Sequence, residues 1–214
     1  YTIKPEKLEE ILKSFQNRRI IVIGDIMLDE YLWGKVQRIS PEAPVPIVEI
    51  NTTDYRLGGA ANAAVNLNAL GAEVYLVGVC GKDSQARIVL QQLQRRKMST
   101  EGIFLVPSRP TTLKTRIGSV SQQIVRLDRE ETSAIDSSVQ KEILAYLTKV
   151  IPQCEALIIE DYDKGLLCPS LINEILHLAG KYNKMVAVDP KYLNFGAYCN
   201  VEIFKPNYRE LEMY

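Results

Sequence analysis

The sequence predicts an α/β protein whose main sheet is mostly parallel and is covered by helices on both faces. Two observations support this fold class. Short apolar runs alternate with segments of helical periodicity along most of the 214 residues, and strands separated by helices are typical of a parallel sheet. The stretches 31–56 and 111–129 interrupt this alternation with strand-like patterns. We predict that these two stretches pair with each other as a small β layer outside the main sheet.

Each element follows from a local pattern. In KPEKLEEILKSF the leucine, isoleucine and phenylalanine residues recur at helical spacing, and the apolar run in RRIIVIGD that follows is typical of a buried strand. Three prolines between residues 41 and 46 favour edges and turns within the stretch 31–56. The same criteria predict helix 59–70, strand 73–79, helix 84–96, strand 102–106, hairpin 111–129, helix 138–150, strand 156–160, helix 169–180, and strands 185–189 and 201–205.

The composition excludes several classes of function. Acidic and basic residues number 26 each, so no net field favours nucleic acid or an anionic membrane as a partner. No apolar run is long enough to span a bilayer. The four cysteines lack CxxC spacing, which favours reduced thiols in a cytoplasmic protein. The single histidine argues against a histidine-based metal site. We therefore expect a cytoplasmic protein that binds neither nucleic acid nor a membrane.

Polar side chains follow nearly every predicted strand. Asp25 and Asp29 follow the strand in RRIIVIG, Asp161 follows strand 156–160, and Asp189 and Lys191 lie in the DPK segment after strand 185–189. Each of these residues could instead cap a helix or shape a turn. Ligands of parallel α/β sheets bind beyond the carboxyl ends of the strands, so the concentration of polar groups there favours a site for a polar small molecule.

A glycine pair precedes the helix in RLGGAANAAVNLNALGA. The pair lacks the G-x-G-x-x-G and Walker patterns, and close packing of the helix start is one explanation for it. The wider spacing is more specific, and it resembles the N-terminal signature of the ribokinase-like (PfkB) carbohydrate kinases. In that family the glycine pair lets sugar hydroxyls approach the backbone, and the helix asparagine binds them. The matching positions are Gly58, Gly59, Asn62, Gly71, Gly78, Gly81 and Asp83.

The resemblance extends towards the end of the chain. Asn207 and Glu210 in KPNYRE resemble the family's N-x-x-E motif, which implies ATP and Mg²⁺ as cofactors, both residues on the nucleotide side and Glu210 at the metal. Asp29 resembles the family's sugar-binding aspartate. The stretches 31–56 and 111–129 resemble the family's lid, which closes over the sugar and often forms the dimer contact. We therefore expect a homodimer through the lid.

Four longer blocks narrow this resemblance: GDIMLDEYLWGKVQRISPEAPVPIVEI, LGGAANAAVNLNALGA, QQIVRLDRE and EDYDKG. They resemble family members that phosphorylate the anomeric hydroxyl of D-glycero-β-D-manno-heptose 7-phosphate, giving the 1,7-bisphosphate for ADP-heptose and lipopolysaccharide core synthesis. Two alternatives stay open. One is a kinase of the same family that acts on another sugar or sugar phosphate, and the other is a non-catalytic module that binds a sugar phosphate.

A phosphorylated sugar requires cations near its phosphate, and the hairpin 111–129 can supply them. Alternation along a strand places Lys114 and Arg116 on one face, and Arg126 on one face of the next strand. Arginine binds phosphate with two hydrogen bonds. The alternative explanation for these cations is a solvated, charged edge of the sheet. Arg38 is a weaker candidate for the phosphate. The predicted substrate-binding residues are Asp25, Asp29, Gly58, Gly59, Asn62, Lys114, Arg116, Arg126, Asp161, Asp189 and Lys191.

The sequence departs from the family in one respect. The G-x-G-D turn that carries the family's catalytic aspartate does not occur, and Gly81-Lys82-Asp83 has neither its spacing nor its position. We expect no catalytic residue within the chain and a catalytic base C-terminal to Tyr214. On this expectation, residues 1–214 are a partial ribokinase-like kinase domain that lacks its C-terminal part and does not catalyse phosphoryl transfer by itself.

Overall fold

A computed structural model describes residues 3–119 and 122–213. The strands are β1 (Arg19–Gly24), β2 (Ile26–Ile39), β3 (Pro46–Gly59), β4 (Glu73–Cys80), β5 (Ile103–Leu105), β6 (Thr112–Gly118), β7 (Gln123–Arg129), β8 (Ala156–Glu160), β9 (Met185–Asp189) and β10 (Ile203–Phe204). The helices are α1 (Pro5–Ser14), α2 (Ala60–Ala69), α3 (Ser84–Arg95), α4 (Ser137–Val150), α5 (Pro169–Lys181) and α6 (Tyr208–Met213). None of these helices is long and apolar enough to cross a membrane.

The main sheet has six strands in the order β10–β9–β8–β1–β4–β5, and each neighbouring pair is parallel. Alternation along β1 divides the core. Ile21 and Ile23 pack with residues of α4 and α5 on one face, whereas Val22 packs with residues of α2 and α3 on the other. The predicted α/β class, with helices on both faces of a parallel sheet, is confirmed.

A second sheet of four strands, in the order β3–β2–β6–β7, forms the lid. Its central pair is parallel, from Met27 opposite Thr112 to Trp33 opposite Gly118, so the predicted pairing of the two stretches is confirmed. Residues 120–121, within the predicted hairpin 111–129, lie outside the described residues.

The start of the lid differs from the prediction. Strand β2 begins at Ile26, with a single residue between it and β1, so the lid begins before the predicted stretch 31–56 and Asp29 lies within a lid strand. The cause is local: Ile26 and Leu28 are buried in the core beside α2 and α3, which fixes the strand alternation and leaves Asp29 on the opposite face.

Asp83 and Thr111 attach the lid to the body. Asp83 caps α3, because its Oδ1 accepts a hydrogen bond from the backbone N–H of Ala86 at 2.8 Å. Its Oδ2 accepts from the backbone N–H of Thr111 at 2.9 Å, and the Thr111 hydroxyl donates to Oδ1 at 2.8 Å. Because Thr111 directly precedes β6, one carboxylate fixes both the helix start and the base of a lid strand.

We expect Asp83→Asn to lower the free energy of unfolding by about 1–3 kcal/mol, since the amide NH₂ group replaces one acceptor oxygen and leaves a donor of Thr111 or Ala86 without its partner. Burial alone would raise the pKa of Asp83, but the hydrogen bonds from Thr111 and Ala86 outweigh it and lower the pKa below its ordinary value of 3.8. This stabilisation is therefore present above pH 3.8 and is lost as the pH falls through the lower folded pKa. Urea unfolding at pH 7 and at pH 3 measures it.

Asp136→Asn is the matched control. Asp136 stands at the N-cap of α4 but makes no side-chain cap hydrogen bond, so its replacement should change the stability by less than about 0.5 kcal/mol. Equal losses in both variants would contradict the role assigned to Asp83.

Candidate functional site

The candidate site lies where β1, β8 and β9 end and the lid begins. The backbone N–H of Asp25 donates to the carbonyl of Glu160 at 3.1 Å, and that of Asp161 donates to the carbonyl of Asp189 at 3.0 Å. The ends of three parallel strands are thus directly linked. The carboxylates predicted from the strand ends are brought to one edge of the sheet, as the topology requires.

Gly58 and Gly59 bring α2 close to this edge. A Cβ at Gly58 would lie 2.5 Å from Oδ2 of Asp29, and one at Gly59 would overlap the carbonyl oxygen of Asp25. The φ of Gly59 is +55°, a conformation that favours glycine. Close packing therefore accounts for the pair, and its contact with a sugar stays a prediction. Asn62 lies in the first turn of α2 with its side chain exposed.

Asp25 is almost fully buried, with 3% of its surface exposed. Its Oδ2 accepts hydrogen bonds from the backbone N–H groups of Tyr162 at 2.8 Å and Lys164 at 3.2 Å. Burial raises the pKa of Asp25 to about 6, and the nearby charge of Asp161 adds to the rise, although the two backbone hydrogen bonds oppose it. Asp25 therefore holds the loop after β8 in place.

Asp161 is also buried, and its oxygens are used within the protein. Oδ2 accepts hydrogen bonds from the Asn194 amide at 2.9 Å and from the Tyr198 hydroxyl at 2.6 Å. Oδ1 accepts from the backbone N–H of Asp163 at 3.0 Å. In this arrangement Asp161 joins the end of β8 to the segment that follows β9, and its predicted contact with substrate stays a prediction.

The lid cations lie on one face, and each is paired with a carboxylate. Arg116 forms an ion pair with Asp29. Lys114 lies 3.1 Å from Oδ2 of Asp128, and Arg126 lies 2.9 Å from Oδ1 of the same residue. A phosphate group that binds here must compete with these carboxylates.

Not every predicted cation reaches this face. Arg38 is exposed and pairs with Ile47 near the far end of β2. It lies nine residues beyond Asp29 along the strand, a distance of about 30 Å, so the structure does not bring it to the candidate site.

Asn207 and Glu210 bond to each other at the start of α6. The side-chain oxygen of Asn207 accepts from the backbone N–H of Glu210 at 3.0 Å, and Oε2 of Glu210 accepts from the backbone N–H of Asn207 at 2.7 Å. This reciprocal pair is a capping box. Oε1 of Glu210 accepts a hydrogen bond from the Lys191 ammonium group. Nearby, the Lys205 ammonium group forms an ion pair with Asp189 at 3.0 Å.

This geometry fits Mg²⁺ poorly. Both oxygens of the buried Glu210 are engaged, and no group of three or more potential ligands is arranged for a metal ion within residues 3–119 and 122–213. The contact of Glu210 with a metal stays a prediction, and it would require the displacement of Lys191.

The sequence analysis missed Glu160, Tyr162, Lys164 and Glu130. Glu160 ends β8 directly opposite Asp189 on β9. Burial raises the pKa of Glu160 to about 7, and the negative charge of Asp189 adds to the rise. The EDYDKG block marked this loop, and alternation from the buried Ile159 places Glu160 on the other face of the sheet from that side chain.

Glu160→Gln should stabilise the protein at pH 8 and have little effect near pH 4. The folded pKa of about 7 lies above the ordinary value of 4.5, so the folded state binds an additional proton between these values. The wild-type stability therefore falls as the pH rises through this window, and the glutamine variant lacks that fall. Thermal unfolding from pH 4 to pH 8 measures it. Glu142→Gln, at an exposed position on α4, is the control, and a less stable Glu160→Gln at pH 8 would contradict the expectation.

A six-stranded parallel sheet, a four-stranded lid and polar groups at the strand ends define a ribokinase-like α/β fold. The chain belongs to the pfkB family of carbohydrate kinases, whose family model matches residues 17–214.

Relatives extend this result. The chain is 42% identical over 195 residues to "Bifunctional protein HldE" of Helicobacter acinonychis (strain Sheeba). This match covers 91% of this chain and 42% of that protein. It is 40% identical over 207 residues to the protein of the same name from Pelobacter propionicus, covering 97% of this chain and 42% of the relative. The chain thus spans 42% of the length of these relatives.

Among solved structures, Arabidopsis thaliana ribokinase complexed with ribose and ATP superposes with a TM-score of 0.65 at 14% identity. The match covers 92% of this chain and 62% of that one. At this identity the likeness shows the fold alone.

Proposed function

We propose that these residues form the sugar-binding part of a kinase that transfers phosphate from ATP to the anomeric hydroxyl of D-glycero-β-D-manno-heptose 7-phosphate. The pfkB family membership supports the kinase activity. The relatives named HldE, about 40% identical over more than nine tenths of the chain, and the four sequence blocks that resemble heptose kinases support the substrate. The single observation that carries the substrate class is the cationic lid face, where Arg116 and Lys114 lie beside Asp29. Each of these cations is held by a carboxylate, and a phosphate group that exchanges with those carboxylates would bind the same cations.

In this proposal the chain binds and orients the substrate. Asp29 and Asn62 hydrogen-bond the sugar hydroxyls, the Gly58–Gly59 backbone lets the ring approach, and Arg116 with Lys114 holds the phosphate. The anomeric oxygen attacks the γ-phosphorus of ATP, which gives the 1,7-bisphosphate and ADP. ATP and Mg²⁺ are proposed as cofactors from the family membership. The proton acceptor is not assigned to a residue of this chain.

A coupled ADP-release assay on the natural polypeptide that contains these residues tests the proposal. We expect turnover with heptose 7-phosphate to exceed turnover with fructose 6-phosphate and with ribose. A preference for either of those would support a different kinase of the family, and binding without turnover would support the non-catalytic module. From residues 1–214 alone we expect no turnover, because they lack the G-x-G-D turn.

We also propose a homodimer through the lid, in the cytoplasm. The face of β7 opposite Arg126 exposes Val125 and Leu127, which supports an apolar contact there. Sedimentation of the natural polypeptide tests it, and a monomer at micromolar concentration would count against the dimer.

Asn62→Ala should weaken heptose 7-phosphate binding by about 1–3 kcal/mol, because substrate hydroxyls lose a partner. The stability should stay the same, since the side chain is exposed. Asn66→Ala, one turn further along α2 and also exposed, is the control. Calorimetric titration measures both variants, and unchanged affinity in Asn62→Ala would remove this residue from the site.

A further inference from the structure

Glu130 links the lid to the body through two lysines. Its Oε1 lies 2.8 Å from the Lys164 ammonium group, and its Oε2 lies 3.2 Å from that of Lys114. Lys114 belongs to lid strand β6, whereas Lys164 belongs to the loop after β8. The three side chains are sheltered, with 16–24% of their surfaces exposed, so these ion pairs are less screened than pairs on the open surface.

Lys164 also contacts the other half of the candidate site. Its backbone N–H donates to Oδ2 of Asp25 at 3.2 Å, and its carbonyl accepts a hydrogen bond from the Arg109 guanidinium. The same guanidinium donates to the carbonyl of Glu131 at 2.7 Å. Two separate connections therefore hold the end of β7 against the loop that carries Lys164.

Glu130 is shared between Lys114 and Lys164, so it neutralises the charge of Lys114 only in part. Lys114 also lies 3.1 Å from Asp128, so it faces two carboxylates, of which Lys164 partly neutralises one. Without the Lys164 charge, Glu130 would act on Lys114 alone, in addition to Asp128, which Lys114 shares with Arg126. An incoming phosphate would then meet a more fully neutralised lysine and bind less tightly.

We propose that Lys164 is a positioning residue of the sugar-phosphate site: by holding Glu130 it keeps Lys114 available to the substrate's phosphate and keeps the lid seated beside Asp25. This inference rests on the proposed function. It adds two residues to a site otherwise built from residues at the strand ends. Lys164 contacts Asp25 and Glu130, and Glu130 contacts Lys114 of the lid.

The first test is a double-mutant cycle with Lys164→Met, Glu130→Gln and the double variant in the natural polypeptide. Titrations with heptose 7-phosphate and with the unphosphorylated heptose are compared. Lys164→Met should weaken binding of the phosphorylated sugar by about tenfold and of the plain sugar by less than about threefold. The double variant should recover most of the lost affinity, since the uncompensated carboxylate is gone. Equal weakening for both sugars, or no recovery in the double variant, would overturn the inference.

The second test does not depend on the substrate. Trp33 is the only tryptophan of the chain and lies in the lid, stacked on Tyr31 with ring centroids 6.0 Å apart. Lys164→Met and Glu130→Gln should both speed hydrogen exchange in residues 112–118 and increase quenching of Trp33 by acrylamide. Lys141→Met, at an exposed position on α4, should change neither.

The two tests separate two kinds of failure. If heptose 7-phosphate does not bind the wild type, the proposed function fails, and the exchange and quenching data still decide whether Lys164 holds the lid. Unchanged exchange and quenching in both variants would overturn the positioning role even if the substrate binds.

Discussion

Replacing Gly59 with alanine is expected to lower the free energy of unfolding by about 3 kcal/mol or more. Gly59 has a φ of +55° and a ψ of −138°, which an L side chain adopts only with strain. The new Cβ would also overlap the carbonyl oxygen of Asp25. That oxygen accepts a hydrogen bond from the backbone N–H of Ala60 at 3.0 Å, so it cannot move away without breaking the start of α2. Chemical denaturation measures the loss.

Gly180→Ala provides the matched control. Gly180 lies inside α5, and a Cβ there meets no atom within 4 Å. Alanine is the better helix former by up to about 1 kcal/mol, so this variant should be as stable as the wild type or more so. Equal stability of Gly59→Ala and the wild type would show that the junction of β3 and α2 is not as tightly packed as described.

Replacing Arg116 with alanine is expected to raise KM for the sugar phosphate by about 30-fold or more and to change KM for ATP by less than about threefold. The variant loses a guanidinium that can bind phosphate with two hydrogen bonds. It also leaves Asp29 without its ion-pair partner, so a negative charge remains next to the incoming phosphate. Steady-state kinetics of the natural polypeptide with each substrate varied in turn measures the effect.

Arg126→Ala is the comparison for this result. Arg126 lies directly opposite Arg116 on the neighbouring strand, but its side chain is 51% exposed. Its removal should therefore raise KM for the sugar phosphate by a smaller factor. If Arg116→Ala raised KM equally for both substrates, Arg116 would have a purely structural role in the lid.

Much of the fold could be predicted because strand and helix periodicities differ and each element is local. The end of β1 was the exception. The stretch outside the main sheet was predicted to begin at residue 31, yet the chain passes from one sheet to the other over a single residue, Asp25. Ile26, Met27 and Leu28 are all buried at this transition, and a run of three apolar side chains is too short for its periodicity to identify a strand.

The candidate site was predictable in position but not in its contacts. Parallel topology alone brings Asp25, Asp161 and Asp189 to one edge. Sequence cannot distinguish a carboxylate that faces a ligand from one satisfied internally, as Asp161 is by Asn194 and Tyr198.

The ion-pair partners could not be predicted from the sequence either. Lys164 and Glu130 are 34 residues apart, and their meeting depends on how the lid lies against the loop after β8. Asn207 and Glu210 illustrate a further ambiguity, because the same N-x-x-E spacing serves a helix cap and a kinase motif.

The length of β2 has a mechanical consequence. Its 14 residues extend about 45 Å from Asp25. A rotation of about 5° at that end would displace the far end by about 4 Å but would move Asp29, near the base, by only about 1 Å. The tip of the lid would thus amplify small rearrangements at its base, and a spectroscopic label at Ser40, just past the end of β2, would report angular changes that Asp29 itself hardly registers.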